Sequence, residues 1–577
     1  MPSLLLVAVL AAGCGFGAVS ACHGGPMDRE GSVARDAAGP AQTPDGPATL
    51  ALVNGRIWTG DPARPEAEAV AIAGDRIKRV GTTAEILDAA GSAEIVDLAG
   101  QFVVPGFIDA HVHFVDGGFR LASVQLRDAK SRDEFVGRIR AFAATVPAGT
   151  WITGGDWDHT LWGGELPRRD WIDAATPEHP VWVSRLDGHM ALANTAALRA
   201  AGLTREVEDV PGGEILRDAG GELTGLLKDN ARDLVAAKVP PPPDALKDRA
   251  LETAMRHVAA QGVTSVHNMG SWDDVDVFAR AWKAGRLTTR IYAAVPLSTW
   301  EKLRDVVTAH TYGPDGRGDA WLRIGALKGF VDGSLGSHTA AFDRPFDDAP
   351  ADRGLFVNTP EELYSWIAGA DSAGLHVLVH AIGDRANRTL LDIYERVARE
   401  HGARDHRFRI EHAQHLATAD IPRFARLGVI PSMQPYHAID DGRWAENVIG
   451  PERIQTTYAF RALIDSGAVL AFGSDWFVAP PTPLEGIYAA VTRRTLDDRH
   501  PDGWVPSQKI TVEEALAAYT RHAAFASFEE AQKGTVTAGK LADLTVIDGD
   551  LRAIPAPEIR RARIVRTIVG GRTVFQP

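Results

Sequence analysis

Four histidines and one aspartate stand at the ends of apolar runs and could together hold a metal ion. His111 and His113 close one run, His380 and His412 close two others, and Asp475 closes a fourth. Histidines at positions i and i+2 of a strand point to the same face, so both imidazoles can reach one ion. Imidazole and carboxylate ligands suit zinc, with iron, manganese and nickel as alternatives. One such pair is a weak signal, but the whole set predicts a divalent metal site.

Strands must position these residues. Apolar strand-like runs alternate with amphipathic helical patterns, which is typical of repeated βα units and a parallel sheet. Eight runs are the number that closes a (β/α)8 TIM barrel, whose active site lies at the C-terminal ends of its strands. A doubly wound open sheet is the alternative, but no GxGxxG motif follows an early strand. The predicted strands are Phe102–His113, Val263–Asn268, Arg290–Pro296, Arg323–Val331, His376–His380, Phe408–His412, Gly428–Gln434 and Val469–Asp475.

The spacing of the runs predicts two additions to the barrel. Far more residues separate the first and second runs than a βα unit needs, which predicts an inserted subdomain over residues 115–260. Both chain ends are rich in short strands, with turn signals at Asn54-Gly55, Gly74-Asp75 and Gly570-Gly571. We therefore expect a small β-sandwich domain built from residues 48–101 and 534–577, and a barrel domain over residues 102–533.

The N-terminal segment has features of an export signal. Leu4–Val19 is a nearly unbroken apolar run, too short to span a bilayer comfortably but suited to a signal-peptide core. Small residues precede Cys14 and Cys22, and both sites resemble the bacterial lipobox, although no Lys or Arg precedes the run. We expect a signal peptide over residues 1–22, a lipid anchor on Cys22 or Cys14, a flexible linker over residues 23–47, and export to the bacterial cell envelope. An uncleaved hydrophobic N-terminus is the alternative.

Composition excludes several classes of protein. The chain has 577 residues, of which 45% are hydrophobic and 24% charged, as is ordinary for a globular protein. Its net charge of −14 argues against a surface for nucleic acid or anionic membranes. The 2 cysteines both precede residue 23, so neither a disulfide nor a cysteine-ligated metal is expected in the folded body. The composition predicts no oligomeric state.

Several motifs together resemble those of the amidohydrolase superfamily, and more narrowly its amidohydrolase-3 (YtcJ-like) branch. The resemblance runs from about residue 48 to the end of the chain. It implies a metal-dependent hydrolase built on a TIM barrel. The motifs that carry it are Pro105–His113, Asp187–Leu198, Lys328–Ala340, His380–Ala386, Arg409–Gln414 and Gly473–Asp475.

The resemblance also implies a role for each candidate ligand. The first two histidines would hold the more buried metal, and the other two would hold a second metal. Asp475 would bind the buried metal and act as the catalytic proton shuttle. The full set of implied metal ligands is His111, His113, Lys328, His380, His412 and Asp475.

Lys328 stands where the superfamily places a carboxylated lysine that bridges two ions. An unmodified ammonium has no lone pair for a cation, so Lys328 contributes only if CO2 converts it to a carbamate. We expect two zinc ions with this CO2-derived carbamate between them. The alternative is a salt bridge from Lys328 to Asp332 or another acidic neighbour, which would leave a mononuclear site of three histidines and one aspartate.

This ligand set implies hydrolysis by activated water. Metal ions lower the pKa of bound water to about 7 and polarise a carbonyl, and Asp475 would carry the proton to the departing nitrogen. No G-x-S-x-G elbow is present. We expect a hydrolase that cleaves a non-peptide C–N bond of amide, formamide or N-acyl type in a small molecule. A deaminase or cyclic-amide hydrolase with one metal is the alternative among enzymes. A non-catalytic surface binding lipoprotein is the alternative of another class.

Five further residues are candidate substrate contacts. His189 and Arg185, from the inserted segment, could hold a carbonyl or a carboxylate, although His189 could equally be structural. Trp157 and Tyr436 could wall an apolar pocket, although core packing is the commoner role of an aromatic side chain. His338 stands where many family members carry arginine, so the preferred leaving group or acid could differ here.

Overall fold

The computed structural model describes residues 44–402 and 404–577. The predicted signal peptide over residues 1–22, the lipid-anchor candidates Cys14 and Cys22, and most of the predicted linker over residues 23–47 lie outside the described residues. Among the helices that are described, none combines the length and the apolar character needed to cross a bilayer.

Eight parallel strands form the central sheet, and they are neighbours in the order in which they occur along the chain. A bridge between Val112 and Trp476 joins the two edges, so the barrel is nearly closed. The predicted TIM barrel is therefore confirmed. Its strands are β1 (Phe107–Val112), β2 (Val263–Met269), β3 (Arg290–Pro296), β4 (Leu322–Phe330), β5 (His376–Ala381), β6 (Arg409–His412), β7 (Ile430–Met433) and β8 (Ala471–Phe472).

Helices surround the barrel and cover its outer face. All six residues of β5 are buried, as expected for a strand that is covered on both faces. The helices that precede or follow the strands are Phe114–Arg120, Asp244–Ala259, Trp272–Lys283, Trp300–Thr308, Pro360–Ser372, Asp384–His401, Ile421–Leu427, Phe460–Asp465, Val512–Ala518 and Arg521–Phe525. Further helices after β7 and β8 are Pro435–Asp441, Ala445–Arg453 and Pro483–Thr492.

The predicted first barrel strand, Phe102–His113, is wrong as a single element. Phe102–Pro105 pairs antiparallel with Leu544–Ile547 outside the barrel, and only Phe107–Val112 enters it. Gly106 separates the two strands, and a Cβ atom there would overlap the side chain of Thr264. The apolar pattern continues across the break because both strands are fully buried, so periodicity alone cannot show where one sheet ends.

Two sheets drawn from both chain ends pack on each other beside the barrel. The turn signals at Gly74-Asp75 and Gly570-Gly571 each join an antiparallel pair, as predicted. Asn54-Gly55 does not make a hairpin, because the strands on its two sides belong to different sheets. In sheet order the strands are Arg76–Gly81, Ala69–Ala73, Leu50–Val53 and Glu94–Asp97, then Arg572–Phe575, Ile564–Val569, Leu544–Ile547, Phe102–Pro105, Arg56–Trp58 and Glu66–Ala67. The helix Thr83–Ala90 lies against the first sheet.

A third sheet lies within the long segment between β1 and β2, and we call it with its helices the insert. Its apolar core is separate from that of the barrel. The prediction of residues 115–260 also includes Asp244–Ala259, which packs on Phe114–Arg120 and β2 in the barrel layer. In sheet order the strands are Gly213–Arg217, Leu223–Asp229, Met190–Ala193, Val181–Arg185, Ile152–Trp157 and Val124–Gln125. The helices are Arg132–Ala143, Arg169–Asp173, Thr195–Ala201 and Asp233–Ala236.

Candidate metal centre and active site

The predicted ligands of the buried metal meet at the C-terminal mouth of the barrel. His111 lies near the end of β1, His113 directly follows it, and Asp475 lies three residues beyond β8. The Oδ1 atom of Asp475 is 3.4 Å from Nε2 of His111 and 3.3 Å from Nε2 of His113. One ion could therefore contact all three side chains.

The other two predicted histidines face this group from the far side of the mouth. His380 lies in β5 and His412 ends β6, and their ring centres are 4.5 Å apart. The ring of His412 is also 4.9 Å from that of His111. The structure thus brings together all four histidines and the aspartate that the sequence predicts as ligands.

Each buried histidine has one ring nitrogen held by the protein, which leaves the other nitrogen for a metal. His111 Nδ1 lies 2.7 Å from Oε2 of Glu411, and His412 Nδ1 lies 2.7 Å from Oε1 of Gln434. His380 is oriented the other way round, because its Nε2 atom lies 3.0 Å from the carbonyl oxygen of Gly333. Nδ1 is therefore the free nitrogen of this ring.

The electrostatics of the centre suit a cation. Burial holds the pKa of His111, His380 and His412 well below the usual range, so these imidazoles are neutral and can donate a lone pair. Burial raises the pKa of Asp475, but His111 and His113 outweigh that effect and the net shift is downward. Neutral imidazoles around a carboxylate are the donor set that binds divalent metals, so the residues fit such an ion.

A buried ion pair fixes the ring of His111 from behind. Arg409 contacts the carboxylate of Glu411 at 2.8 Å and 3.1 Å, and it also donates to the carbonyl oxygen of Ala110 at 2.7 Å. Ser432 accepts another hydrogen bond from Arg409 at 2.9 Å. Glu411 lies within the motif Arg409–Gln414 but is not among the predicted ligands; in the structure it orients His111, which is.

Asp109 ties β1 to the loop that carries Asp475. It accepts hydrogen bonds from the backbone and hydroxyl of Ser474 at 2.8 Å and 2.6 Å, and from the backbone of His111 at 3.3 Å. Burial raises the pKa of Asp109 to about 7. Asp475 and His412 have φ angles of +61° and +73°, a left-handed conformation that non-glycine residues adopt mainly where surrounding contacts enforce it.

Lys328, in β4, lies beside the metal ligands. Its Nζ atom is 3.3 Å from Nε2 of His111, and burial lowers the pKa of its amine to about 8. The alternative of a salt bridge to Asp332 is wrong in this structure. Asp332 instead accepts hydrogen bonds from backbone groups near β5 and lies 3.6 Å from His380. Lys328 thus lies within contact distance of one predicted metal ligand.

A polar pocket, lined in part by His380, His412 and Asp475, opens from the centre toward the insert, and two of the predicted substrate contacts lie in it. The ring of His189 is 5.0 Å from that of His380, and its Nδ1 atom lies 2.7 Å from Asp229. Burial lowers the pKa of His189, but Asp229 outweighs this and the net shift is upward. Arg185 also lines the pocket, although Asp187 holds it at 2.6 Å.

The match to known proteins covers most of the chain. The model of a family described as "Amidohydrolase family" matches residues 94–575. The chain belongs to the amidohydrolase family. Protein LONG AFTER FAR-RED 3 of Arabidopsis thaliana is 39% identical over 92% of each chain. N-substituted formamide deformylase of Arthrobacter pascens is 30% identical over 90% of this chain and 97% of that protein. The crystal structure of an uncharacterized metal-dependent hydrolase from Pyrococcus horikoshii has a TM-score of 0.72 at 28% identity, over 88% of this chain and 99% of that one.

This amidohydrolase is therefore an enzyme, a metal-dependent hydrolase of a family that acts on carbon–nitrogen bonds. The family resemblance inferred from the motifs is confirmed. Membership also removes the support for a non-catalytic surface binding protein.

The other three predicted substrate contacts of the amidohydrolase lie outside the polar pocket. Trp157 is fully buried in the core of the insert and donates to the carbonyl oxygen of Val183 at 2.9 Å. His338 lies 3.0 Å from Asp348 and Tyr436 packs on the barrel core, and neither lines the polar pocket. The structure thus places all three side chains outside the polar pocket, and their contact with substrate stays a prediction.

The segment after β7 provides pocket residues that sequence reasoning missed, including His437, Asp441, Arg443 and Trp444. A ring nitrogen of His437 lies within 4.8 Å of ligand atoms of His412 and Asp475. Its Nε2 atom is buried and has no hydrogen-bond partner among the residues described. The sequence contains a signal for His437, because the segment Gln434-Pro-Tyr-His437 directly follows β7 and barrel strand ends converge at the active site.

Proposed function

We propose that this amidohydrolase cleaves a non-peptide amide, formamide or other N-acyl bond of a small molecule. The observation that carries the proposal is the placement of Asp475, a buried carboxylate within 3.4 Å of two imidazoles and on the wall of the polar pocket. The deformylase from Arthrobacter pascens, whose name specifies N-substituted formamides, supports a formamide among these substrates.

His111, His113 and Asp475 would hold one divalent ion, and His380, His412 and a carbamate on Lys328 would hold a second. A bound ion supplies Lewis acidity, which lowers the pKa of water and polarises a carbonyl. We propose zinc for both sites because imidazole and carboxylate ligands suit it; iron, manganese and nickel are the alternatives.

The side chains of this chain would then direct the proton. Asp475 accepts a proton from the attacking water while the oxygen of that water bonds to the carbonyl carbon. Asp475 then delivers the proton to the nitrogen as the C–N bond breaks. The products are an acid and an amine. His189 is oriented by Asp229 so that its Nε2 atom can donate to the carbonyl oxygen of the substrate.

Substrate screening with zinc-loaded protein tests this function. N-formyl amines, N-acyl amino acids and lactams should yield acid and amine, whereas aminated heterocycles should release no ammonia. Asp475→Asn should lower kcat by about 10²–10⁴ while zinc content stays near that of the wild type. Near-normal turnover by this variant would remove the proton-shuttle role of Asp475. Release of ammonia from the heterocycles would favour the deaminase instead.

Metal analysis separates the binuclear from the mononuclear site. Two zinc ions per chain and activity that depends on bicarbonate support the carbamate on Lys328. Lys328→Ala should then lose zinc, and short carboxylic acids should restore it by replacing the carbamate. One ion per chain in the wild type, with occupancy unaffected by Lys328→Ala, would support the mononuclear alternative.

We also propose export and lipid attachment at the N-terminus. The apolar run Leu4–Val19 and the small residues before Cys22 support this proposal. In a bacterial host, the full chain should incorporate labelled palmitate, Cys22→Ser should abolish the label, and Cys14→Ser should retain it. The reverse pattern would assign the anchor to Cys14, and absence of label from the wild type would refute lipidation.

A further inference from the structure

A second cavity has Lys328, one of the predicted metal ligands, in its wall, and we call it the insert cavity. It lies between the insert and the C-terminal ends of β2, β3 and β4, where Met269, Pro296 and Lys328 form part of its wall. Its volume is about 1050 Å³. Pockets that bind small molecules typically measure about 300–1,000 Å³, so this cavity could accept a sizeable organic group.

The walls of the insert cavity are mainly apolar. Aromatic rings come from both the barrel and the insert, and a run of four prolines, residues 240–243, adds to them. Leu246, which is 39% exposed, is one of the few large apolar side chains with substantial exposure on the described part of the chain, and it lies on the same wall. The aromatic residues of the wall are Phe119, Phe142, Trp151, Trp182 and Phe330.

His111 contacts one wall residue of the insert cavity and one wall residue of the polar pocket. Lys328 lines the insert cavity and its Nζ atom is 3.3 Å from His111. Asp475 lines the polar pocket and lies 3.4 Å from the same histidine. A substrate bound beside His111 would therefore lie next to both compartments.

The charges of the wall indicate which end of an amide would enter. The charged residues of the cavity wall are Asp116, Arg120, Lys247, Asp273, Asp274 and Lys328. Arg120 pairs with Asp156 at 2.9 Å and Lys247 pairs with Asp273 at 2.7 Å, which leaves Asp116 and Asp274 without a salt bridge among the described residues. The amine product of amide hydrolysis is a cation at neutral pH, so these carboxylates would attract it, whereas they would repel the carboxylate product.

We propose that the insert cavity binds the apolar N-substituent of the substrate, an alkyl chain or an aromatic ring, and receives the departing amine. This inference rests on the proposed amide hydrolysis and names its substrate class: N-alkyl or N-aryl amides rather than primary amides. The insert thus determines specificity at a site separate from the proton-transfer residues.

A chain-length series tests the proposal. With zinc-loaded enzyme, N-formyl n-alkylamines from methyl to hexyl should show kcat/KM rising about fourfold with each methylene that the cavity buries.

Thr153, an exposed residue of the insert sheet, lines the cavity. Thr153→Trp should obstruct part of the cavity and lower the hexyl-to-methyl ratio at least tenfold. Leu246→Asp, at an exposed position on the same wall, should also lower the hexyl-to-methyl ratio. Thr308→Trp, on the exposed end of a barrel helix, is the matched control and should leave the ratio unchanged.

Calorimetric binding of the free n-alkylamines to the same zinc-loaded variants gives a readout that needs no turnover. Hexylamine should bind the wild type at least tenfold more tightly than methylamine, and Thr153→Trp should abolish this difference. If neither the formamides nor the other N-acyl substrates of the screen are hydrolysed but this difference holds, the cavity assignment stands and the proposed function falls. If the formamides are hydrolysed but neither kcat/KM nor amine affinity changes with chain length, the proposed function stands and the cavity assignment is overturned.

Discussion

Glu411 Oε2 lies 2.7 Å from Nδ1 of His111, and neither side chain is exposed to solvent. The carboxylate thereby fixes which ring nitrogen faces the metal centre, and Arg409 holds the carboxylate in turn. Such partners of metal ligands usually raise ligand basicity and metal affinity. The orientation of His111 therefore depends on a residue that would not itself contact a metal.

Replacing Glu411 tests this relationship. Glu411→Gln keeps the size of the side chain but removes the charge that faces His111 and Arg409. We expect zinc affinity to fall about 10- to 100-fold, the range typical of lost partners of metal ligands. Competition with a chromophoric chelator measures the affinity, and circular dichroism confirms that the variant is folded. Glu446→Gln, at an exposed position, is the control; equal zinc affinities for both variants would contradict the role of Glu411.

His437 is expected to gain a partner during catalysis. An unsatisfied buried polar atom costs about 1–3 kcal/mol, and Nε2 of His437 is such an atom among the described residues. His437→Gln should therefore lower kcat/KM about tenfold or more, since 1.4 kcal/mol corresponds to a factor of ten, without lowering the melting temperature. Steady-state kinetics and calorimetry measure the two effects. Wild-type kinetics for His437→Gln, matching those of the exposed control His310→Gln, would show that His437 is only a packing residue.

The barrel and the convergence of the candidate metal ligands were predictable because strand ends carry both the apolar signal and the candidate ligand. His380 and His412 each end an apolar run, and parallel strands bring such ends together. The contacts of the insert were not predictable. His189 meets Asp229 only because Met190 pairs with Lys228 across the sheet, and this register depends on tertiary packing. His437, by contrast, lies in the segment that directly follows β7, so its position at the active-site end of the barrel could be predicted.

The pH dependence of stability should change when Asp441 is neutralised. Burial raises the pKa of Asp441 to about 7, whereas an unfolded aspartate has a pKa of about 3.9. Between about pH 4 and 7 the folded state thus binds more protons than the unfolded state, so stability falls as the pH rises through this window. Asp441→Asn removes that loss, and its Oδ1 atom can still accept from Tyr458 and Gln414.

The stability of Asp441→Asn relative to the wild type should therefore rise from pH 4 to pH 7, by at most about 1.4 kcal/mol per pH unit. Urea unfolding at a series of pH values measures it. Asp305→Asn, at an exposed aspartate, is the matched control. A difference from the wild type that is constant across this window would show that Asp441 does not titrate between pH 4 and 7.

Gly106 separates the sandwich strand Phe102–Pro105 from β1, and its lack of a side chain is a packing requirement. A Cβ atom at this position would overlap Thr264, the second residue of β2. Gly106→Ala should therefore destabilise the protein by about 1–3 kcal/mol, the usual cost of overpacking a core. Gly137→Ala is the matched control, because Gly137 lies within the helix Arg132–Ala143 with open space around its Cα atom. Alanine there should stabilise the helix by about 0.5–1 kcal/mol. Urea unfolding should thus give shifts of opposite sign for one chemical change, and shifts of the same sign would contradict the close contact between β1 and β2.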